Sequence, residues 1–379
     1  MSYRDAAVSD TEGQIVDLSR LMEKLASYED ISDDLTEEEE RKLVDYVRSC
    51  AEMSHAKISR RYDHWTEADR AHDVYVRPDA TAFREKAVIA DTRAVADTVM
   101  TYQMAALTGR NPMFQLEGLD RKSRKVGSIL ERVLHSQMRR TAGEAKIAQH
   151  ILDNIRYGFG PTKVAWNAKT NQNQIVNFNP RRAFPDPRAN QADHENYQFW
   201  VLTDHASYDS LVATGMYPKL RKYPGLRNYR GSETTTRNGW MAHRWNQEEG
   251  RGLSIDPATP YSSAGSSRGY FILGNTRVYD ECWVKLPGYQ IGVPTIEQIW
   301  MVITIIDEHV VIRCQLNPNG RQMPIVPGGL YHDSHKTYGQ SLYDLLLPMH
   351  DIATWLLRSR IDNVQAGPFC STPPSADRT

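Results

Sequence analysis

The chain has 379 residues, 40% of them hydrophobic and 25% charged. This is the composition of a folded globular protein with room for two or three domains, not of a disordered, collagenous or membrane chain. The 46 basic and 47 acidic side chains leave a net charge of -1, which excludes a polybasic nucleic-acid binder and makes any DNA contact local or weak. Cys50, Cys282, Cys314 and Cys370 form no CxxC pair, which argues against a zinc ribbon and a dense disulfide framework and for a reducing compartment. The start, MSYRDAAVSDTEG, lacks the basic and apolar blocks of a secretion signal. The longest apolar run, Ile299 to Ile306, is far shorter than the roughly 20 residues that span a bilayer as a helix. A soluble, unexported chain is expected.

The first third reads as helices. Ile15, Leu18, Leu21, Met22 and Leu25 recur at helical steps between Glu12 and Tyr28. Thr36 with Glu39 forms a capping box, and Glu37 to Glu40 sit where the helix dipole favours negative charge; that helix should pass Leu43, Val47 and Cys50 towards Ile58. Residues 1 to 52 hold 15 acids and 6 bases, so the neutral total hides an acidic start and a basic remainder. The acidic face is a solvated surface or a dock for a basic partner.

Further helices are predicted from about Phe83 to Leu107, stopped by Gly109 and Pro112, and from Asp120 through Leu134. Gly143 interrupts the second, and Thr141 with Glu144 can cap its successor through Ile155. After Tyr157-Gly158-Phe159-Gly160-Pro161 the period changes. Strands are predicted at Thr162 to Asn167, Gln174 to Phe178 and Tyr197 to Thr203, with a short helix over 205 to 215. Residues 246 to 269 read as a Gly, Ser and Pro-rich linker. Strands resume at Tyr270 to Leu273, Arg277 to Lys285, Gln298 to Ile306 and Val310 to Gln315, the last two joined as a hairpin. Helices followed by antiparallel strands make an α+β fold.

The last element carries the most information. Ser341 and Asp344 can cap a helix in which Leu342, Leu345, Met349, Ile352 and Leu356 follow a 3,4,3,4 spacing. Such a stripe packs against a neighbouring helix, in its own domain or in another copy. Pro348 removes a backbone donor, so a kink or restart is expected near Leu347.

No catalytic site is written in the motifs. Gly265 to Gly269 matches GxSxG around Ser267, but a loop precedes it and a strand follows, the reverse of a nucleophile elbow. Ser54 to Lys57 matches SxxK within an amphipathic helix and reads as surface. His332 and His335 beside Asp333 read as a solvated pair. No catalytic, cofactor-binding or metal-ligating residue is assigned, and no cofactor is expected. One segment suggests nucleic acid: Lys219, Arg221, Lys222, Arg227 and Arg230 alternate with Tyr217, Tyr223 and Tyr229 without an acid between them. The same cations could instead pair with acids of this chain or of its neighbour.

Several stretches taken in order resemble a bacteriophage portal protein, the ring through which DNA enters and leaves a capsid. They are Arg60-Arg61-Tyr62-Asp63-His64-Trp65 with Ala105 to Pro112; Tyr157 to Trp166; Asn179-Pro180-Arg181-Arg182-Ala183-Phe184-Pro185-Asp186-Pro187; and Pro324 to Pro327 with Tyr338-Gly339-Gln340-Ser341. The likeness covers about residues 40 to 366 and is nearest the podovirus-like head-to-tail connectors.

The resemblance implies an acidic helical region over 1–60, a wing over 61–336 and a stem helix over 337–366; the chain departs from the family where a clip, a second stem helix and usually a crown would follow, with a polar tail over 367–379 and clip and crown apparently absent. It implies a structural, non-enzymatic subunit of a homo-oligomeric ring, commonly a dodecamer, at a capsid vertex of the virion after assembly in the host cytoplasm. Double-stranded DNA would pass through the channel for packaging and ejection. Terminase, major capsid or scaffolding protein and tail adaptors would bind outside; no membrane is involved. Two readings from other classes stay open: a cellular DNA-binding protein using 217–230, and a hydrolase using Ser267.

Overall fold

In the computed structural model the described residues are 27–74, 87–118, 120–167, 170–192, 196–222, 276–287, 298–306, 309–320, 322–333 and 335–370. In chain order they form α1 (Glu37–Ile58), α2 (Tyr62–His72), α3 (Asp91–Thr108), α4 (Arg121–Arg140), α5 (Gly143–Tyr157), β1 (Thr162–Asn167), β2 (Gln172–Asn177), β3 (Ala183–Pro185), β4 (Phe199–Ser207), α6 (Tyr208–Thr214), α7 (Pro218–Lys222), β5 (Thr276–Pro287), β6 (Gln298–Ile306), β7 (Val310–Leu316), β8 (Ile325–Val326) and α8 (Leu342–Cys370). The fold mixes helices with antiparallel sheets, consistent with α+β. The predicted helix before Tyr28, the strand at 270–273, the linker at 246–269 and the GxSxG run lie outside the described residues.

Two compact units form: Met1–Ser59, Arg182–Gly239 and Asp256–Pro324 in the first, Arg60–Arg181, Trp240–Ile255 and Ile325–Thr379 in the second. The first is organised by an antiparallel sheet in the order β3-β4-β5-β6-β7. Trp200 stands opposite Trp283, and Cys282 lies between Val201 and Ile303. Met301 to Ile306 are buried without alternation, so both faces of β6 are covered, which is why its sequence reads as a continuous apolar run. Helix α1 packs on β3, β4 and β7. Tyr208, Leu211, Tyr217 and Leu220 of α6, α7 and their link pack on Ile306 and Ile312.

Both edges of this sheet are closed. At β7 the Val311 amide donates to Glu40 and the Cys314 amide to Asp30, each at 2.7 Å, while Ile31 N donates to Cys314 O at 2.8 Å. At β3 the Asp186 carboxylate accepts from the amides of Arg188 and Gln198, and Pro185 and Pro187 withhold donors. Unpaired edges invite strand addition, and these devices remove the invitation.

The second unit combines α2 to α5 and the start of α8 with a sheet in the order β2-β1-β8. Ala68, Ala71, Ala96, Ile151, Ile155, Leu342 and Tyr343 form one core cluster. Trp65 is buried, donates to Tyr157 O at 3.0 Å and meets the Tyr157 ring edge-on. Asp69 accepts from Tyr157 Oη at 2.7 Å and from Arg181 at 2.9 Å, so a buried guanidinium is paired rather than stranded.

Several expectations are corrected. The third helix begins at Asp91; residues 87–90 are not helical, and 83–86 lie outside the described set. The fourth continues past Leu134 to Arg140. Thr141 does not cap α5: its hydroxyl donates back to Gln137 O, and the N-cap Ala142 adopts a left-handed φ of 52°. Helix α8 continues through Pro348 without a restart and on to Cys370. Ser54 is buried, not on the surface, and Lys57 Nζ donates to Pro187 O at 2.6 Å.

Candidate functional site

Three of the segments that resemble a portal meet in the second unit at the start of α8. The α5 C-cap Gly158 has φ 65°, and a Cβ there would stand 2.7 Å from backbone atoms of Gly339 and Gln340. Only glycine allows this approach. Phe159 stacks edge-on against Tyr338 with centroids 5.0 Å apart, and Gly160 N donates to Pro327 O. The segments 157–161, 324–327 and 338–341 are therefore one packed knot from which α8 departs. In the first unit Phe184 is fully buried and Asp186 holds its turn, so the aromatic residue and aspartate of the 179–187 stretch are structural groups.

The start of α8 is fastened by its cap. Asp344 N donates to Ser341 Oγ at 2.9 Å, Ser341 N to Asp344 at 3.0 Å, and Arg61 pairs with Asp344 at 2.8 Å. Tyr343 Oη and His72 Nδ1 share a 2.7 Å hydrogen bond. Burial, then the Arg156 charge, holds the His72 imidazole below its ordinary range, and burial raises the Tyr343 hydroxyl. Further along, His350 Nδ1 donates to Asp91 at 2.8 Å and Arg358 Nε to Ala87 O at 2.7 Å. Burial alone would raise the Asp91 carboxyl, but hydrogen bonds from His350 and the Thr92 amide outweigh it and leave it lowered.

Two stripes of the same period run along α8. Tyr343, Leu347, His350 and Thr354 turn inward. Leu345, Met349, Ile352 and Leu356 stand two residues away, about 200° round the helix, and are 48%, 70%, 61% and 55% exposed. Leu342, first of the predicted stripe, is buried in the core cluster. Trp355 and Val364 are also exposed, one on each flank of this stripe. The spacing revealed the stripe but not which of its members this chain already covers.

The cations of the Tyr-rich segment are placed differently. Lys219 is buried, its Nζ 3.1 Å from Glu40, and Lys222 pairs with Asp33 at 2.5 Å. Arg221 is exposed. Arg227 and Arg230 lie outside the described residues. Tyr217 is buried, its hydroxyl pushed up to about 12 chiefly by burial.

Sequence reasoning missed the outer surface of α4. Val126, Ile129, Leu130 and Val133 are half-exposed on one side, and Lys125, Arg132 and Arg139 share another. The signal lies in the 3,4 spacing of Val126, Ile129, Leu130 and Val133. Among the described residues no group of three His, Cys, Asp or Glu could hold a metal ion, and no helix is long and apolar enough to cross a membrane. Asp333 pairs with Lys336 beside His332 and His335.

No curated protein matches the chain. Residues 99–366 match the family described as Phage SU10 portal protein, more than two thirds of the length and all of the resembling stretches except Arg60 to Trp65. With the packed knot, the capped final helix and a match running from α3 into α8, the chain belongs to the phage SU10 portal protein family, whose members are structural rather than enzymatic.

Proposed function

We propose that copies of this chain assemble into a closed ring, a dodecamer by family analogy, at one capsid vertex, and that the ring is the channel for genome packaging and ejection. In this reading residues 1–60 are an acidic outer region, 61–336 the wing, 337–366 the stem and 367–379 a polar tail. The observation that carries it is the outward stripe of α8. One side of the helix is anchored by a cap, an ion pair and two long-range hydrogen bonds, while the other offers Leu345, Met349, Ile352 and Leu356 to water. A helix held rigidly with an apolar side uncovered is built to meet another surface, and in a cyclic assembly the same contact repeats until it closes. Terminase, capsid or scaffolding protein and tail adaptors would dock on outer faces, first in the host cytoplasm and then in the virion. The 217–230 segment would meet DNA or an adjacent subunit through Arg221 and the residues beyond it.

The test is the mass of the full chain in solution with Leu345→Asp and Ile352→Asp combined. Wild type should give large closed rings by mass photometry and electron microscopy, and the double variant dispersed subunits with unchanged helicity. Rings that persist in the variant remove α8 from the interface. A wild type that stays monomeric or dimeric and binds duplex DNA returns the reading to a DNA-binding protein, and labelling of Ser267 by a serine-reactive probe returns it to a hydrolase.

A further inference from the structure

We infer that the basic row of α4 is a binding surface for the phosphate backbone of duplex DNA, and that it, more than Lys219 and Lys222, carries the chain's DNA contact. The inference rests on the portal reading for its biological setting but not for its chemistry. Helix α4 contains seven Lys and Arg against one carboxylate, Glu131. That carboxylate is engaged, accepting from Leu116 N at 2.7 Å.

Lys125, Arg132 and Arg139 recur every seven residues and so lie within about 40° of one another round the helix. Their side chains form no ion pair or hydrogen bond with any described residue. Aligned like charges destabilise a helix face, and a nearby counter-charge would be the ordinary remedy, as Glu40 supplies for Lys219. Here the remedy is left to a ligand.

The dimensions fit a nucleic-acid strand. From Lys125 to Arg139 the row is about 21 Å long at 1.5 Å per residue. About six successive phosphates of one strand occupy that length at 3.4 Å of axis each. Neutral donors flank it: Asn111, Ser128 and Ser136 beside Arg132 and Arg139 in one groove, Asn171 and Gln172 beside Arg132 and Arg140 in the other. Groups of this kind position a phosphate backbone without reading bases. The contact is therefore sequence-independent. The rival occupant is an acidic protein surface such as the chain's own acidic start, and the experiment separates the two.

The full chain carrying Lys125→Gln, Arg132→Gln and Arg139→Gln is compared with wild type by anisotropy of a labelled 30-base-pair duplex between about 50 and 200 mM salt, with particle mass measured alongside. Each phosphate contact contributes about one unit to the slope of log affinity against log salt, so the triple variant should lose about three units and bind more than tenfold more weakly at low salt. Particle mass should not change. Arg132→Lys with Arg139→Lys keeps the charges and should keep the slope, which separates lost contacts from lost folding.

An unchanged slope in the triple variant overturns the inference. So does dispersal of rings with DNA affinity preserved, which would assign the row to an acidic protein neighbour. If the wild type forms no ring and the slope still falls in the variant, the ring is lost and the α4 assignment stands.

Discussion

The first unit covers its sheet on both faces and closes its edges, whereas the second leaves apolar side chains open on three helices. Val95, Tyr102 and Leu107 of α3, the Val126 to Val133 side of α4 and the outward stripe of α8 are all exposed there. In the first unit Glu40 holds both Lys219 and the amide of Val311. Among the described residues of the first unit, the exposed large apolar side chains are scattered singly, Tyr28, Met53 and Met216. In the second unit the same helices are anchored on one side and bare on the other, the kind of surface that commonly meets another one. Among the described residues, the contrast shows where apolar surface is left open.

The comparison can be broken in order of expected effect. Trp200→Ala in β4 removes a fully buried ring and should cost about 3–5 kcal/mol, read as a lowered unfolding midpoint in denaturant. Hydrogen exchange should report the loss in β4 and β5; an effect spread equally over both units would deny that they are separate cores. Gly158→Ala should cost about 2 kcal/mol or more, because it forces a side chain into the left-handed region against the 339–341 backbone. The expected readout is loosened amides at the start of α8. A neutral result would mean that the knot does not set the helix.

Acid sharpens the contrast further. Burial holds the imidazoles of both His72 and His150 below the ordinary value of 6.5. The unfolded chain therefore binds protons that the folded second unit refuses. The stability they contribute is whole above about pH 6.5 and falls as the pH drops through their lowered native values. Exchange measured from about pH 7.5 down to 5.5, corrected for intrinsic rates, should show α2 and α5 losing protection before β5 and β6. Simultaneous loss would refute the assignment.

The smallest effect is the cap. Ser341→Ala should cost about 1 kcal/mol, and Asp344→Asn somewhat more because Arg61 also loses its partner. Thermal denaturation followed by circular dichroism would measure both.

What could be read in advance was local. The Thr36–Glu39 and Ser341–Asp344 caps formed as expected, because a cap joins residues three apart. Strands β1 and β6 occur at the expected residues, since β-branched runs between turn formers leave the backbone few choices. The short elements β3, β8 and α7 went unseen because each exists through a partner far along the chain: β8 pairs with β1, and α7 is fixed by Lys219 reaching Glu40, 179 positions away. The exposed stripe of α8 was legible as a stripe, whereas the basic row of α4 went unseen because its lack of counter-charge depends on residues outside any short window.

The amino-acid order alone determined where helices and strands could start and stop, because capping, turn chemistry and periodicity act within a few residues. Tertiary structure alone decided which stripe faces inward and which cations are neutralised. Burial and ion pairing depend on residues that folding brings together from distant parts of the chain, and no short window of sequence contains both partners.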